Sequence, residues 1–191
     1  KILFLIQFQI QFFFASARAG NVIGGGDWSL NRIVPDCIKA INDSKKVIIR
    51  NPQSTRPWQH VLEPLSGYLQ LASYLRNNSK LHGETFNFGP QSNNEYNVLK
   101  LVNEMKKNWD SVNWEIQEDQ NFKESNLLKL NCEKAQKLLK WKSTLNFKET
   151  VNFTISWYKK YYNNSSDVNI SSKQIDEFTE IAKKRGMDWT L

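Results

Sequence analysis

The chain has 191 residues, 40% of them hydrophobic, and it contains seven tryptophans and eleven phenylalanines. That length suits one domain or slightly more, and the composition argues against both a disordered chain and an integral membrane protein. The formal net charge is +7. Because the basic residues are spread along the sequence rather than clustered, this charge does not indicate a nucleic-acid partner.

The sequence contains only two cysteines, Cys37 and Cys132, and two histidines, His60 and His82. These residues are far apart and do not have the spacing of zinc ligands. We therefore expect no metal site, and we expect both cysteines to be buried free thiols.

Residues 1–14 are largely apolar and are followed by small residues, Ala15–Ala17, as at a secretory cleavage site. The first residue is not methionine, three glutamines interrupt the run, and the run is too short to span a membrane. These features favour a buried strand from Phe8 to Ala17. A signal peptide and the product of a truncated or frame-shifted reading frame are the alternatives.

The next segment predicts a helix from Ile33 to Asn42 with Asn31 as its N-cap, and then a short strand, Val47–Ile49. A second helix is predicted from Glu63 to Arg76. Four of its apolar residues keep helical spacing: Leu65, Leu69, Ala72 and Leu75.

Farther along, Asn97 is predicted to cap a helix whose inner face carries Leu101, Val102 and Met105. The remaining predicted strands are Thr85–Phe88, Trp114–Ile116 and Leu127–Leu130, and the remaining predicted helices are Val98–Asn108, Glu133–Leu139, Phe147–Tyr162 and an isolated Lys173–Lys184 after a Ser/Asn linker. Helices that alternate with short strands indicate an α/β protein, without a complete parallel sheet.

Two polar residues stand out for their chemistry. Arg56 precedes Trp58 after a turn at Pro57, and a guanidinium group donates two parallel hydrogen bonds to a phosphate. Asn21 lies beside Gly20, where an asparagine is usually only a turn residue. The three glycines that follow, Gly24–Gly26, do not have the Gly-x-Gly-x-x-Gly spacing of a dinucleotide-binding loop.

The run from Ala17 to Trp28, with the Arg-Ile-Val-Pro-Asp that begins at Arg32, closely resembles a segment of the CDP-glucose 4,6-dehydratases. These are nucleotide-sugar enzymes of the extended short-chain dehydrogenase/reductase family. The resemblance extends from about Ala15 to Tyr158. In that family the segment follows the dinucleotide-binding glycines and the catalytic Tyr-x-x-x-Lys. The resemblance therefore implies an incomplete Rossmann-type fold, mainly the C-terminal substrate-binding lobe.

The resemblance also implies roles for individual residues. Arg56 would hold the diphosphate, Asn21 would reach the substrate, and Ile49 would flank the base. The remaining substrate-binding positions that it implies are Arg32 and Ile33 under the nucleotide, Asn87 at the nucleotide portion, and Glu124 at the ribose or a phosphate. It implies no catalytic residue in this chain.

One position departs from the family's pattern, and one pair of residues imitates the family's catalytic motif. Lys140, before Trp141, replaces a glycine that is typical of the family. The pair Tyr96 and Lys100 fits Tyr-x-x-x-Lys by spacing, but it lies downstream of Asn21, whereas the family's pair lies upstream. We interpret the Tyr96 pair as a chance match.

By resemblance, residues 1–30 are a remnant of the dinucleotide-binding sheet, residues 31–162 are a nucleotide-sugar-binding lobe, and residues 163–191 are a polar linker and a helix. The expected function is that of a cytoplasmic, NAD-dependent lyase that converts CDP-glucose to a 4-keto-6-deoxy sugar for surface polysaccharide. This chain would be an inactive and poorly stable fragment that binds the sugar nucleotide but not NAD.

The partners expected for the intact enzyme are CDP-glucose, NAD and further copies of itself, with neither nucleic acid nor a membrane. Two alternatives remain. The chain could be a non-catalytic binding subunit that a separate chain completes. It could also belong to a nucleotide-sugar epimerase.

Overall fold

The computed structural model describes residues 13–91, 96–117, 130–163 and 169–190. Its strands are β1 (Ser16–Ala19), β2 (Asn21–Ile23), β3 (Val47–Ile49), β4 (Thr55–Arg56), β5 (Trp58–His60), β6 (Thr85–Phe88), β7 (Tyr96–Asn97) and β8 (Trp114–Ile116). Its α-helices are α1 (Ile33–Asn42), α2 (Leu62–Asn77), α3 (Val98–Asn108), α4 (Glu133–Leu139), α5 (Phe147–Asn163) and α6 (Ile170–Lys184). The predicted mixture of helices and short strands is confirmed.

The strands of the described residues form pairs rather than one continuous sheet. Strand β1 pairs in parallel with β6, β2 with β5, and β3 with β8, whereas β4 and β7 are antiparallel. Gly20 separates β1 from β2, and a Cβ at this position would lie 2.7 Å from the carbonyl oxygen of Pro57. Glycine at this junction therefore lets β2 lie directly against the chain that enters β5.

The main core lies between α1, α3, α5 and the strands β2, β3 and β5. Leu101, Val102 and Met105 of α3 are buried in it, as predicted. A second cluster joins α2, β6 and α4 around Trp141, and a third joins the loop before α5 to α6. Cys37 and Cys132 are buried free thiols, as expected.

Helix α2 exposes three of its four regularly spaced apolar residues, and only Leu75 packs partly against the second cluster. Leu65 and Leu69 are exposed, Leu69 by 74%, and Ala72 is also exposed. The buried face is formed instead by Glu63, Pro64, Ser66, Gly67, Gln70 and Leu71. Gly67 is needed on that face because a Cβ there would lie 2.3 Å from the ring of Phe88.

Several predicted boundaries hold and others do not. The predicted strand from Phe8 to Ala17 lies partly outside the described residues, because residues 1–12 are not described. Within the described part, residues 13–15 are not in a strand, and the first strand is Ser16–Ala19. Asn31 is not the N-cap of α1. It adopts a left-handed φ of 60°, and Arg32 occupies the cap position without a side-chain hydrogen bond. Asn97 does cap α3, accepting a hydrogen bond from the backbone N–H of Lys100 at 2.8 Å.

Helix α6 begins earlier than predicted and is not isolated. The side chain of Gln174 donates a 2.6 Å hydrogen bond to the carbonyl of Phe153 in α5, and Phe178 packs in the third cluster. After the helix, Arg185 forms a two-pronged ion pair with Glu149. The predicted strand Leu127–Leu130 falls largely outside the described residues, and Leu130 itself is not in a strand.

Lys140 ends α4 in the left-handed conformation, with φ of 54°. A side chain is disfavoured there and glycine is not, so Lys140→Gly is expected to raise the free energy of unfolding by about 0.5–1 kcal/mol. The ion pair that would be lost, with Asp188 at 3.8 Å, is exposed and contributes little. Urea unfolding followed by circular dichroism measures the change.

The matched control for Lys140→Gly is Lys142→Gly, at an exposed position without a positive φ. This change is expected to lower stability, since it adds only backbone freedom to the unfolded chain. Equal destabilisation by both changes would contradict the strain assigned to Lys140.

Candidate functional site

A cavity of about 880 Å³ opens where β2, the first turn of α1, β3 and the β4–β5 segment meet. Five of the seven predicted substrate-binding residues line it: Asn21, Arg32, Ile33, Ile49 and Arg56. They come from separate parts of the sequence, and the fold brings them together. Their roles toward a ligand stay predictions.

The strand pairs fix the positions of Asn21 and Arg56. Asn21 lies opposite Trp58 in the β2–β5 register, and Arg56 is only two residues before Trp58. The Arg56 guanidinium donates a 2.8 Å hydrogen bond to the carbonyl of Thr55. The buried Trp58 ring lines the same cavity, and its indole N–H is held by the carbonyl of Tyr96 at 3.1 Å.

The first turn of α1, Ile33–Asp36, faces the cavity. A helix N-terminus presents free backbone N–H groups and the positive end of the helix dipole, which favour an anion. Arg32, immediately before this turn, has a side chain that is 64% exposed and donates to the Asp27 carboxylate at 3.3 Å.

The charges on the cavity wall favour a negatively charged ligand. Three arginines and two aspartates line it, a net charge of +1. Burial acts to raise the pKa of Asp27, but hydrogen bonds from Ser29 and Arg32 outweigh it and lower the pKa. Burial raises the pKa of Asp36, against the lowering effect of Lys39 and other neighbours. Asp27 therefore stays ionised and holds Arg32 by charge as well as by hydrogen bonding.

The cavity also has apolar lining residues. Its apolar lining residues include Ile33, Ile48, Ile49, Val98 and Leu130. Ile49 is fully buried, and its carbonyl accepts a hydrogen bond from the backbone N–H of Gln117 at 3.0 Å. The pairing of β3 with β8 thus fixes the Ile49 backbone at the cavity.

Sequence reasoning missed other polar residues of this cavity, chiefly Asp27, Asp36 and Arg50. Arg50 directly follows β3, and the carboxyl ends of parallel strands are common ligand sites, so its position carried a usable signal. Asp27 directly follows the three glycines, Gly24–Gly26. Its pairing with Arg32 had no sequence signal.

Asn87 is not among the residues that line this cavity, and its role at the nucleotide portion stays a prediction. It lines a shallower depression with Thr85, Asn131 and Lys134, and its side chain donates to the carbonyl of Asn131 at 3.0 Å. The reason is its position in β6, which pairs with β1 rather than with the cavity strand β2. Glu124 lies outside the described residues.

A second cavity, of about 320 Å³, lies between the loop before α5 and the end of α6. Tyr96 lines it and stacks on Phe147, with ring centroids 3.7 Å apart. The Lys100 ammonium lies 5.9 Å from the centre of the Tyr96 ring, over the ring face. Tyr96 therefore packs on Phe147 and lines the second cavity rather than the first.

Comparison with known proteins gives the chain its relatives, although no family model matches it. It is 39% identical over 165 residues to the CDP-glucose 4,6-dehydratase of Salmonella typhimurium, and the match covers 86% of this chain and 46% of that protein. This chain belongs to the nucleotide-sugar epimerase and dehydratase family. It spans about half the length of the curated relative it matches.

Solved members of this epimerase and dehydratase family share the fold. A UDP-glucuronic acid 4-epimerase from Bacillus cereus, in complex with UDP-glucuronic acid and NAD, gives a TM-score of 0.64 at 18% identity, covering 76% of this chain and 45% of its own. A dTDP-glucose 4,6-dehydratase from Bacillus anthracis, in complex with NAD, gives 0.62 at 19% identity, covering 78% and 46%. The chain is thus part of a Rossmann-like extended short-chain dehydrogenase/reductase fold.

NAD is bound in both of these family structures, but the glycine-rich loop of this chain does not fit it. A Cβ on Gly25 would lie 2.0 Å from the ring of Trp157, so the indole already covers the loop. Helix α1 begins only at Ile33, too far along for its N-terminus to continue the loop as in a dinucleotide-binding turn. Gly24–Gly26 therefore offers no cradle for a pyrophosphate.

The described residues contain no group of three or more histidine, cysteine, aspartate or glutamate residues placed to hold a metal ion. None of the helices among them combines the length and the apolar character that crossing a membrane requires.

Proposed function

We propose that this chain provides the nucleotide-sugar-binding part of a CDP-glucose 4,6-dehydratase. The observation that carries the proposal is the cavity that gathers Asn21, Arg32, Ile33, Ile49 and Arg56 from four separate segments. The 39% identity to a CDP-glucose 4,6-dehydratase supports the choice of substrate over that of other family members.

The diphosphate of the nucleotide sugar binds between Arg56 and the first turn of α1. The guanidinium donates in a planar fork and the helix N-terminus offers backbone N–H groups, so two phosphates meet donors from two sides. Arg32 and Arg50 line the same cavity and add positive charge.

The base and the hexose occupy the two ends of the cavity. Ile49 and its apolar neighbours contact the face of the base, where a planar ring loses water at little cost. Asn21, at the start of β2 and near the Gly24–Gly26 loop, donates to and accepts from sugar hydroxyls.

Oxidation at C4 of the sugar by NAD, and the acid–base steps that remove water, use groups outside these 191 residues. The poor fit of the glycine loop to NAD and the length of the relative, about twice that of this chain, support this division. The chain alone therefore binds the nucleotide sugar without converting it.

Isothermal titration of the purified chain with CDP-glucose, UDP-glucose and NAD tests the proposal. Binding of CDP-glucose in preference to UDP-glucose, without NAD, is the expected result. Preference for UDP-glucose would favour an epimerase. Tight binding of NAD would contradict the proposal that this chain binds the nucleotide sugar but not NAD. A folded chain that binds neither sugar nucleotide would leave no support for a substrate-binding role.

Arg56→Ala is expected to weaken CDP-glucose binding by about 10- to 100-fold, since it removes charge-assisted hydrogen bonds to the diphosphate. Titration of the variant gives the dissociation constant. Arg76→Ala, at an exposed position near the end of α2 and outside the cavity, is the matched control and is expected to leave affinity unchanged. Equal effects of the two changes would show that only overall charge matters.

A further inference from the structure

Tyr158 of α5 binds both backbone groups of a single residue in the glycine-rich loop. Its hydroxyl donates to the carbonyl of Asp27 at 2.8 Å and accepts from the N–H of Asp27 at 3.1 Å. The side chain is fully buried, with 0% exposure. One hydroxyl from a rigid helix thus fixes the position and orientation of the Asp27 peptide groups.

Aromatic rings hold the rest of this loop. A Cβ on Gly25 would overlap the ring of Trp157, and Gly26, with a φ of +77°, lies over the same indole. Trp28 packs edge-on against Tyr158, with ring centroids 5.4 Å apart. The loop is therefore packed against α5 on both sides of Asp27, and glycine is required where the indole approaches most closely.

The Asp27 side chain links this fixed backbone to Arg32, and both residues line the cavity. Its carboxylate accepts from the N–H of Ser29 at 3.0 Å and from the guanidinium of Arg32 at 3.3 Å. Arg32 is mostly exposed, and a long exposed side chain has many rotamers of similar energy. Because the Asp27 backbone is held in place, its carboxylate favours the Arg32 rotamers that can donate to it.

We infer that Tyr158 is a positioning residue for the nucleotide-sugar cavity: by clamping the backbone of Asp27 it holds the carboxylate that directs Arg32 at the ligand. This inference rests on the proposed function for the role of Arg32. It adds a contribution from α5, whose Tyr158 does not itself line the cavity.

The test compares Tyr158→Phe with Tyr161→Phe in the full 191-residue chain. Tyr161 lies on the same helix, and its hydroxyl makes no hydrogen bond within the described residues, so it is the matched control. Tyr158→Phe is expected to weaken CDP-glucose binding about fivefold, the size of one net hydrogen bond, and to speed hydrogen exchange of the Asp27 amide. Tyr161→Phe is expected to change neither quantity.

A double-mutant cycle separates positioning from general support of the fold. If Tyr158 acts through Arg32, Tyr158→Phe has no further effect on affinity in an Arg32→Ala background. An equal loss in both backgrounds would overturn the inference, as would unchanged exchange of the Asp27 amide in Tyr158→Phe. A wild-type chain that does not bind CDP-glucose would overturn the proposed function and the role of Arg32 with it, while the exchange measurement still decides whether the clamp exists.

Discussion

Between pH 4.5 and pH 7, the free energy of unfolding of the wild-type chain is expected to fall by about 3 kcal/mol relative to that of a Glu63→Gln variant. Glu63 is only 1% exposed, and burial raises the pKa of its carboxyl group to about 7. Urea unfolding of both proteins at a series of pH values, followed by circular dichroism, measures this difference.

The direction follows from which state holds the proton. Below pH 4.5 the Glu63 side chain is protonated in the folded and the unfolded chain alike, and its full contribution to stability is present. As pH rises toward 7, the unfolded chain releases this proton while the folded chain keeps it, so the unfolded state binds fewer protons and stability falls. Glutamine carries no charge at any pH and avoids this loss.

The backbone contacts of Glu63 limit the shift without removing it. The N–H groups of Thr144 and Leu145 donate to its carboxylate at 2.8 and 2.6 Å, and these bonds and the charge of Arg185 lower the pKa, while Glu149 raises it. Burial is the largest of these effects. The same two bonds tie the start of α2 to the loop before α5.

The difference between variant and wild type is the quantity to follow, because His60 titrates in the same range with the opposite sign. Burial lowers the pKa of His60 to about 4, so its contribution to stability rises with pH up to about its ordinary pKa of 6.5. The wild-type stability profile is therefore flatter than that of either group alone. Parallel profiles for wild type and Glu63→Gln would show that Glu63 ionises in the folded protein as it does in the unfolded chain.

Helices were predicted well from the sequence where capping or turn residues mark their ends. Helix α3 was located correctly because Asn97 caps it, and α1 because it follows a turn and carries proline in its first turn. The wrong N-cap of α1 shows the limit of this reasoning. Asn31 has the right side chain for a cap, but it also tolerates a left-handed φ, and the loop uses it for that instead.

Periodicity detects an apolar stripe and does not say what the stripe packs against. In α2 two of the regularly spaced leucines, Leu65 and Leu69, are exposed, while the buried face includes a glutamate, a serine and a glutamine. Two of those polar residues bond to distant groups: the Glu63 carboxylate accepts from the backbone N–H of Thr144, and the Gln70 side chain donates to the carbonyl of Leu139 at 2.7 Å. No local pattern contains partners that are about 70–80 residues away.

The sequence indicates which side chains suit a phosphate or a sugar hydroxyl, but strand pairing decides which of them share a cavity. Arg56 and Asn21 meet in one cavity because β2 pairs with β5. Asn87 comes from a similar strand end, but β6 pairs with β1 and carries it elsewhere. The clamp of Tyr158 on Asp27 joins residues 131 positions apart and had no signal in the sequence.

Trp141→Ala is expected to lower the free energy of unfolding by about 3–5 kcal/mol, a large share of the roughly 5–15 kcal/mol typical of a domain. Trp141 is 1% exposed, its ring meets that of Phe88 edge-on with centroids 5.0 Å apart, and its indole N–H donates to Ser66 Oγ at 3.1 Å. Alanine leaves a large cavity where α2, α4 and β6 meet. Urea unfolding at fixed pH measures the loss.

Two variants show which part of Trp141 matters. Trp141→Phe keeps a packed ring but removes the N–H, so it is expected to cost less than alanine while still leaving Ser66 without this partner. Trp28→Ala is the matched control and is expected to cost less, because Trp28 is 40% exposed and loses only ring contacts to the surface of α5. If Trp141→Ala and Trp28→Ala cost the same, the second cluster does not hold α2 to α4 and β6. Helix α2 would then be held in place mainly by the hydrogen bonds of Glu63 to Thr144 and Leu145.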